Sequence, residues 1–335
     1  MVKLKDIAKH TGFSLTQVSR AINNHGDVSE ETKKIIMKAV EELGYVPNLA
    51  AKKLASKTDN SIALIVVGFE KQSSSNDMLI DIMSGVFNSA TENELEVVLY
   101  LYSENMRKKK SYLQFCRERG VSGAILCGIK RDDEYLKELM QSDFPMVLID
   151  IPYLTQNVGS VVVDNEKYSY LAVKRLIESG RKKIGLINGN EGAYVSMERK
   201  SGYIDALKEH GIEIDEDIIE NGDFSLDISK GCANNLINKG VDAIFCASDL
   251  MAMGAIQAAK EIDVNIPDEL SIFGFDGIQM VNYITPTLST VKQNSYDKGY
   301  KASGLLTDYL NKNIPMRILK SECELYEQES TVKKK

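Results

Sequence analysis

Residues 4–57 read LKDIAKHTGFSLTQVSRAINNHGDVSEETKKIIMKAVEELGYVPNLAAKKLASK, and their spacing decides how the chain begins to fold. Gly12 ends a first short helical pattern by supplying a left-handed position that other residues avoid. Ser14 and Gln17 have the S-x-x-Q spacing of a capping box, which starts a second helix. Val18, Ala21 and Ile22 follow at i, i+3, i+4 and share an inward face. Leu15, Thr16, Ser19, Arg20 and Asn23 are left on the other face. A third helix is predicted from Ser29, with Glu30 and Glu31 in its first turn. Ile35, Ile36, Ala39, Val40 and Leu43 form its apolar stripe, and Gly44 and Pro47 stop it. Asn48 then caps a short basic helix whose Lys52, Lys53 and Lys57 suit phosphates. Two helices joined by a tight glycine turn make a helix-turn-helix, whose second helix enters the major groove. The competing reading is a three-helix module that binds protein. The basic helix after Pro47 favours DNA.

Bulk charge adds little. Residues 1–60 hold ten Lys/Arg against seven Asp/Glu, a net of +3 in a chain of formal charge -7, which leaves -10 for the rest. Geometry rather than charge must carry DNA binding.

The remaining residues read as an α/β body. SIALIVVGF (61–69), EVVLYLY (96–102), GAILCGI (123–129) and PMVLIDI (145–151) are strand-like, apolar runs. In the second half VGSVVVD (158–164), KIGLING (183–189), DAIFCAS (242–248) and LSIFGFD (270–276) read alike. Helical stretches such as LAVKRLIESG and MAMGAIQAAKEI alternate with them. Apolar strands with intervening helices imply parallel sheets covered on both faces, here two Rossmann-like lobes of about four strands each. At 335 residues and 43% hydrophobic content the chain holds more than one domain.

Several function classes fall away. No run of 18 apolar residues predicts a membrane span, and no charged-then-apolar leader argues for export. The five cysteines lack a C-x-x-C, which suits reduced thiols in a cytoplasm, and no metal site is readable. The glycine turn Ile187–Gly192 lacks G-x-G-x-x-G, there is no P-loop, and no nucleophile elbow or H-E-x-x-H occurs. The expectation is a non-enzyme without cofactor.

The run KDIAKHTGFS, VSRAINN, VSEETKKII and ELGYVPNLAAKKL resembles the DNA-binding domain of the LacI/GalR (lactose/galactose repressor) family, without a gap through the linker. SMERKSGYIDAL (196–207), ASDLMAMGAIQAA (247–259), DELSIFGFDGI (268–278) and TPTLSTVKQ (285–293) resemble, in order, the sugar-binding core of that family and of periplasmic sugar-binding proteins. The resemblance implies a helix-turn-helix over 1–46 and a hinge helix over 47–58. It implies an N-terminal lobe of 61–161 plus 293–321 and a C-terminal lobe of 162–292 plus 322–335. It places Leu15, Thr16 and Arg20 at base-reading positions, with Ser19 and Asn23 beside them. Asn48, Ala51 and Leu54 become hinge contacts, with Leu54 as the apolar wedge that opens a minor groove.

In open parallel sheets, ligands bind beyond the carboxyl ends of strands. A polyhydroxylated ligand needs carboxylates, a guanidinium and an apolar ring face. The family positions for these fall on Arg199, Asp276, Ser248, Asp249, Asp150, Asp164, Phe224 and Gln293. Arg199 is expected to grip hydroxyls and Phe224 to stack on the ligand, while Asp249 has helix capping as its alternative role. GFEKQSSSNDML (68–79) departs from the asparagine-proline-aromatic run of many members, so Phe69, or else Tyr100 and Tyr102, is expected to supply the missing ring. The expected partners are pseudo-palindromic operator DNA, a small effector with sugar as the family default, and a second copy of the chain. The chain shows no leucine heptad after Leu325, so a dimer is expected rather than a tetramer. A nucleobase or a phosphoprotein is the alternative co-effector.

Overall fold

Serine caps set the start of the second and third helices. Ser14 Oγ accepts from the Gln17 N–H at 3.2 Å, and Gln17 Oε1 accepts in return from the Ser14 N–H at 3.1 Å. Ser29 Oγ accepts from the Thr32 N–H at 3.3 Å. In this computed structural model, which describes residues 2–46, 61–68 and 76–331, they begin α2 (Leu15–Ile22) and α3 (Glu30–Glu42). Helix α1 (Leu4–Thr11) ends at Gly12, whose φ of +74° turns the chain into α2. The three helices close on Ile7, Val18, Ala21, Val28, Ile36 and Ala39. Burying a side chain the size of Val18 or Ile36 contributes about 1.5–3 kcal/mol. Ile35, expected in the stripe, is instead exposed. One residue is a 100° turn of helix, and Ile36, Ala39, Val40 and Leu43 already fill the inward arc. The predicted hinge, with Asn48, Ala51 and Leu54, lies outside the described residues, as does Phe69.

The chain divides into two units, Met1–Asp59 and Asn60–Lys335. The second contains two six-stranded sheets. The strands are β1 (Ser61–Val67), β2 (Glu96–Tyr102), β3 (Gly123–Cys127), β4 (Met146–Ile149), β5 (Val158–Val163), β6 (Ile184–Asn188), β7 (Ile219–Asn221), β8 (Ala243–Cys246), β9 (Ser271–Asp276), β10 (Ser289–Gln293), β11 (Ile318–Ser321) and β12 (Cys323–Tyr326). The first sheet runs β11-β5-β4-β3-β1-β2, all parallel. The second runs β12-β10-β9-β8-β6-β7, parallel except for β12.

The pleat explains the apolar runs. Ile62, Leu64 and Val66 of β1 face α4 (Asn76–Glu92) and the long helix Ser295–Lys312. Ala63 and Ile65 face the opposite layer, which includes Glu104–Arg107 (α5), Tyr112–Arg119 (α6) and Leu136–Gln141 (α7). In the second lobe α8 (Asn165–Glu178) and α9 (Tyr194–Glu209) cover one face. Helices α10 (Leu226–Asn238) and α11 (Asp249–Glu261) cover the other. With both faces buried, the central strands need no polar alternation. The Ser295–Lys312 helix, α12, crosses α4 at glycines: a Cβ on Gly299 would meet the Ile82 carbonyl oxygen at 2.0 Å, and one on Gly85 the Tyr296 carbonyl oxygen at 2.1 Å. That close crossing fixes where α12 begins, beside the sheet ends.

Two expectations are corrected. Each sheet has six strands, not about four, because β7, β10, β11 and β12 carry Glu220, Lys292, Lys320 and Glu324 and do not read as apolar runs. VGSVVVD, grouped with the second-half strands yet lying mostly inside the expected 61–161 lobe, joins the first sheet, pairing with β4 and β11, since a fully buried strand carries no mark of which sheet it joins. The chain therefore passes between lobes after Val163, Gln293 and Ser321, the first two by two and one residues later than expected. Among the described residues no helix is long and apolar enough to cross a membrane.

Candidate functional sites: the reading helix and the interlobe cleft

Helix α2 has one side in the core and one in water. Leu15, Thr16, Arg20 and Asn23 are exposed and Ser19 is half-buried. Leu15 is 44% exposed at the first position of the helix, with no packing role to account for a leucine. Arg20 is paired with Asp27, and Asn23 Nδ2 donates to the Ser19 carbonyl at 2.8 Å. An apolar tip, a hydroxyl and a guanidinium on one open helical face match what base edges offer in a major groove: a thymine methyl and acceptors on guanine.

The second site is a cavity of about 210 Å³ at the strand ends between the two lobes. Asp150, Arg199, Phe224, Ser248, Asp276 and Gln293 line it, together with the apolar Met78, Val195, Leu250 and Ile278. The structure thus brings six of the nine expected cleft residues together. Three of them, Asp150, Phe224 and Asp276, have φ of +64°, +54° and +122°, among eight non-glycine residues with positive φ in the described chain. Such backbone costs on the order of 1–3 kcal/mol per residue and gathers where side chains must be aimed. The Phe224 ring is seated over Gly189, where any Cβ would meet it at 2.1 Å.

A chain of polar contacts runs across the cleft. Arg199 Nε donates to Asn165 Oδ1 at 2.9 Å, and its Nη1 to the Ala247 carbonyl at 2.5 Å and Asp276 Oδ1 at 3.3 Å. Its guanidinium also stacks 3.7 Å above the Phe275 ring, a favourable cation–π arrangement. Gln293 Nε2 donates to Asp276 Oδ1 at 2.8 Å, and Gln293 Oε1 accepts from Lys298 Nζ at 2.9 Å. Lys298 Nζ also reaches both oxygens of Asp150, at 3.1 and 3.0 Å. Burial pushes the Asp276 carboxyl up, while Arg199 and Lys298 pull it back down.

Three expected cleft residues have other roles or lie outside the described chain. Asp164 caps α8, accepting from the Lys167 N–H, and pairs with Lys320 at 2.7 Å; that hydrogen bond holds its carboxyl below the usual range. Asp249 does not cap α11; Ser248 does, accepting from the Met251 N–H at 3.3 Å. Asp249 is fully buried as a latch between strand ends. Its Oδ2 accepts from the Gly277 and Ile278 N–H groups at 2.7 and 2.9 Å, and its Oδ1 from Thr290 Oγ1 at 2.5 Å. Burial, then the charge of Asp276, raise its carboxyl well above the ordinary value. Phe69 is the third. Tyr100 and Tyr102 pack edge-on against Phe115 in the first-lobe core and do not line the cleft.

Sequence reasoning missed Asn165, Lys298 and the four apolar lining residues. Lys298 sits in a polar helix start, YDKGYK, that looks like solvated surface. Only the glycine-mediated approach of α12 buries it. Asn165 was one residue from an expected site residue, but no spacing signalled that its amide would hold Arg199. Among the described residues no group of His, Cys, Asp or Glu is arranged to hold a metal ion.

Comparison with known proteins finds relatives for both parts of the chain. The family described as bacterial regulatory proteins, lacI family, matches residues 3–48, and the periplasmic binding protein-like domain matches residues 173–331. Catabolite control protein A of Priestia megaterium is 31% identical over 314 residues, covering 93% of both chains. The ribose operon repressor of Halalkalibacterium halodurans is 32% identical over 316 residues, covering 93% of this chain and 91% of its own. Among solved structures, a complex of the transcriptional regulator CelR with cellobiose superposes with a TM-score of 0.75 at 27% identity, over 98% of this chain and 100% of that one. With a reading helix, a two-lobed core and relatives matched over nearly its whole length, this chain belongs to the LacI family of DNA-binding transcription regulators and is not an enzyme.

Proposed function

We propose that the chain is a homodimeric repressor whose grip on a pseudo-palindromic operator is set by a small hydroxyl-rich ligand, a sugar, in the interlobe cleft. The observation that carries the reading is the clustering of Asp150, Arg199, Phe224, Asp276 and Gln293 around one cavity. Carboxylates accept hydroxyl hydrogens, the guanidinium orients them, and the ring covers an apolar sugar face. The ribose operon repressor and the cellobiose-bound regulator among its relatives favour the same ligand class.

Leu15, Thr16 and Arg20 read bases, with Ser19 and Asn23 at the groove edge. Asn48, Ala51 and Leu54 act as the hinge contacts that the family resemblance implies. Exposed Met280 and Tyr283, the latter 83% accessible, offer apolar surface for the second subunit. Ligand binding changes the angle between lobes joined by three crossovers, and so the arrangement of the paired reading heads. By reciprocity, operator and ligand alter each other's affinity by the same factor. A protein that acts on the genome works in the cytoplasm, where its reduced thiols also belong.

A thermal-shift panel of neutral sugars tests the reading. A ligand at a hundredfold excess over its Kd stabilises by about 2.7 kcal/mol. A hit on the parent chain that vanishes in Arg199→Ala supports the cleft. Silence across sugars, with a response to nucleobases or to a phosphorylated carrier protein, would replace the sugar reading.

A further inference from the structure

The charges of the cleft are layered. Arg199 and Lys298, its two cations among the described residues, are 4% and 1% exposed. Their carboxylate partners Asp276 and Asp150 are 15% and 29% exposed; both carboxylates and Arg199 line the cavity, whereas Lys298 stands behind that lining. Lys298 is also saturated. An ammonium has three N–H donors, and three acceptor atoms surround this one: Asp150 Oδ1, Asp150 Oδ2 and Gln293 Oε1. Arg199 places three of its five N–H donors on Asn165, Ala247 and Asp276. An entering ligand therefore meets the Asp150 carboxylate before Lys298, and beside Arg199 it meets the more exposed carboxylate of Asp276. Hydroxyl hydrogens satisfy those oxygens; a phosphate or carboxylate would be repelled by them and could reach Lys298 only by displacing Asp150.

We infer that this cleft selects an uncharged, hydroxyl-rich effector and rejects its phosphate ester, because Lys298 is held behind the Asp150 carboxylate and Arg199 is paired with the more exposed carboxylate of Asp276. The inference rests on the cleft being the effector site. It gives Lys298 a role that the lining does not show: it is the counter-cation of Asp150. It also bridges the crossover at Asn294, since α12 packs in the first lobe and Gln293 ends β10 of the second.

Calorimetric titration of the full chain tests this with inorganic phosphate and with matched pairs: ribose and ribose 5-phosphate, glucose and glucose 6-phosphate. The parent chain should show no measurable affinity for phosphate or either ester at 10-millimolar order. Asp150→Asn, which suits the left-handed backbone at that position, releases Lys298 and should bind inorganic phosphate at least tenfold more tightly. Adding Lys298→Met to that variant should abolish the gain, which a general loosening of the fold would not do. Asp276→Asn, releasing Arg199, provides the same readout should Asp150→Asn fold poorly. An ester that binds the parent chain as tightly as its sugar, or phosphate affinity equal in parent and Asp150→Asn, overturns the inference. If neither sugar binds the parent chain, those two pairs lose their claim as effectors, and the phosphate comparison still decides the charge layering.

Discussion

The reading helix and the cleft solve opposite problems. On α2 the polar contacts are local and solvent-facing: Ser14 to Gln17, Asn23 to Ser19, Arg20 to Asp27. In the cleft they join residues far apart in sequence, Lys298 to Asp150 and Arg199 to Asp276, and they are buried. The reading face keeps ordinary backbone and open side chains, free to meet a duplex. The cleft is tied shut on itself, with left-handed backbone at three lining positions. The difference teaches that cleft residues should matter strongly for stability and reading residues hardly at all.

The largest effect should follow loss of Arg199. Arg199→Ala leaves Asp276, Asn165 and the Ala247 carbonyl without their buried donor. Breaking a buried pair costs about 3–5 kcal/mol, visible as a lower urea midpoint of the full chain. A cost below about 1 kcal/mol would break the comparison.

Asp249 comes next. Asp249→Ala strands two N–H groups and a hydroxyl and should cost about 3 kcal/mol. Its carboxyl is raised in the folded state, so its protonated form favours folding at acid pH, and that contribution fades as the pH climbs through the folded value. Asp249→Asn, which cannot ionise, should therefore gain on the parent chain in stability as the pH rises. Urea midpoints at several pH values check the sign.

On the reading helix, Arg20→Ala should weaken specific DNA binding by about 1–3 kcal/mol. Its half-exposed pair with Asp27 should leave the unfolding midpoint nearly unmoved. Gel-shift and melting measurements on one preparation separate the two. The smallest effect belongs to Ser14→Ala, about 1 kcal/mol from a lost N-cap, read as lower helicity of the N-terminal unit.

These magnitudes mirror what could be read beforehand. Caps and glycine stops act within four residues, so Gly12, Ser14 and Ser29 announced the first three helices. The apolar runs announced the α/β body but left β5's sheet open, because complete burial erases alternation. Of the cleft, Arg199, Asp276 and Asp150 were legible through motif resemblance. Lys298 was not, because its burial depends on two glycine-packed helices meeting 200 residues apart in sequence, Gly85 near Tyr296 and Gly299 near Ile82. Asp164 and Asp249 show the reverse error: a strand-end aspartate is equally suited to a helix cap or a backbone latch, and only the fold chooses.

The central claim is that the cleft governs DNA binding. Fluorescence-anisotropy titration of the full chain against DNA selected from a random pool, with and without the sugar that stabilises it most, tests this directly. DNA affinity should change tenfold or more in the parent chain and not at all in Arg199→Ala. Equal DNA affinity of the parent chain at saturating sugar and in its absence would contradict it.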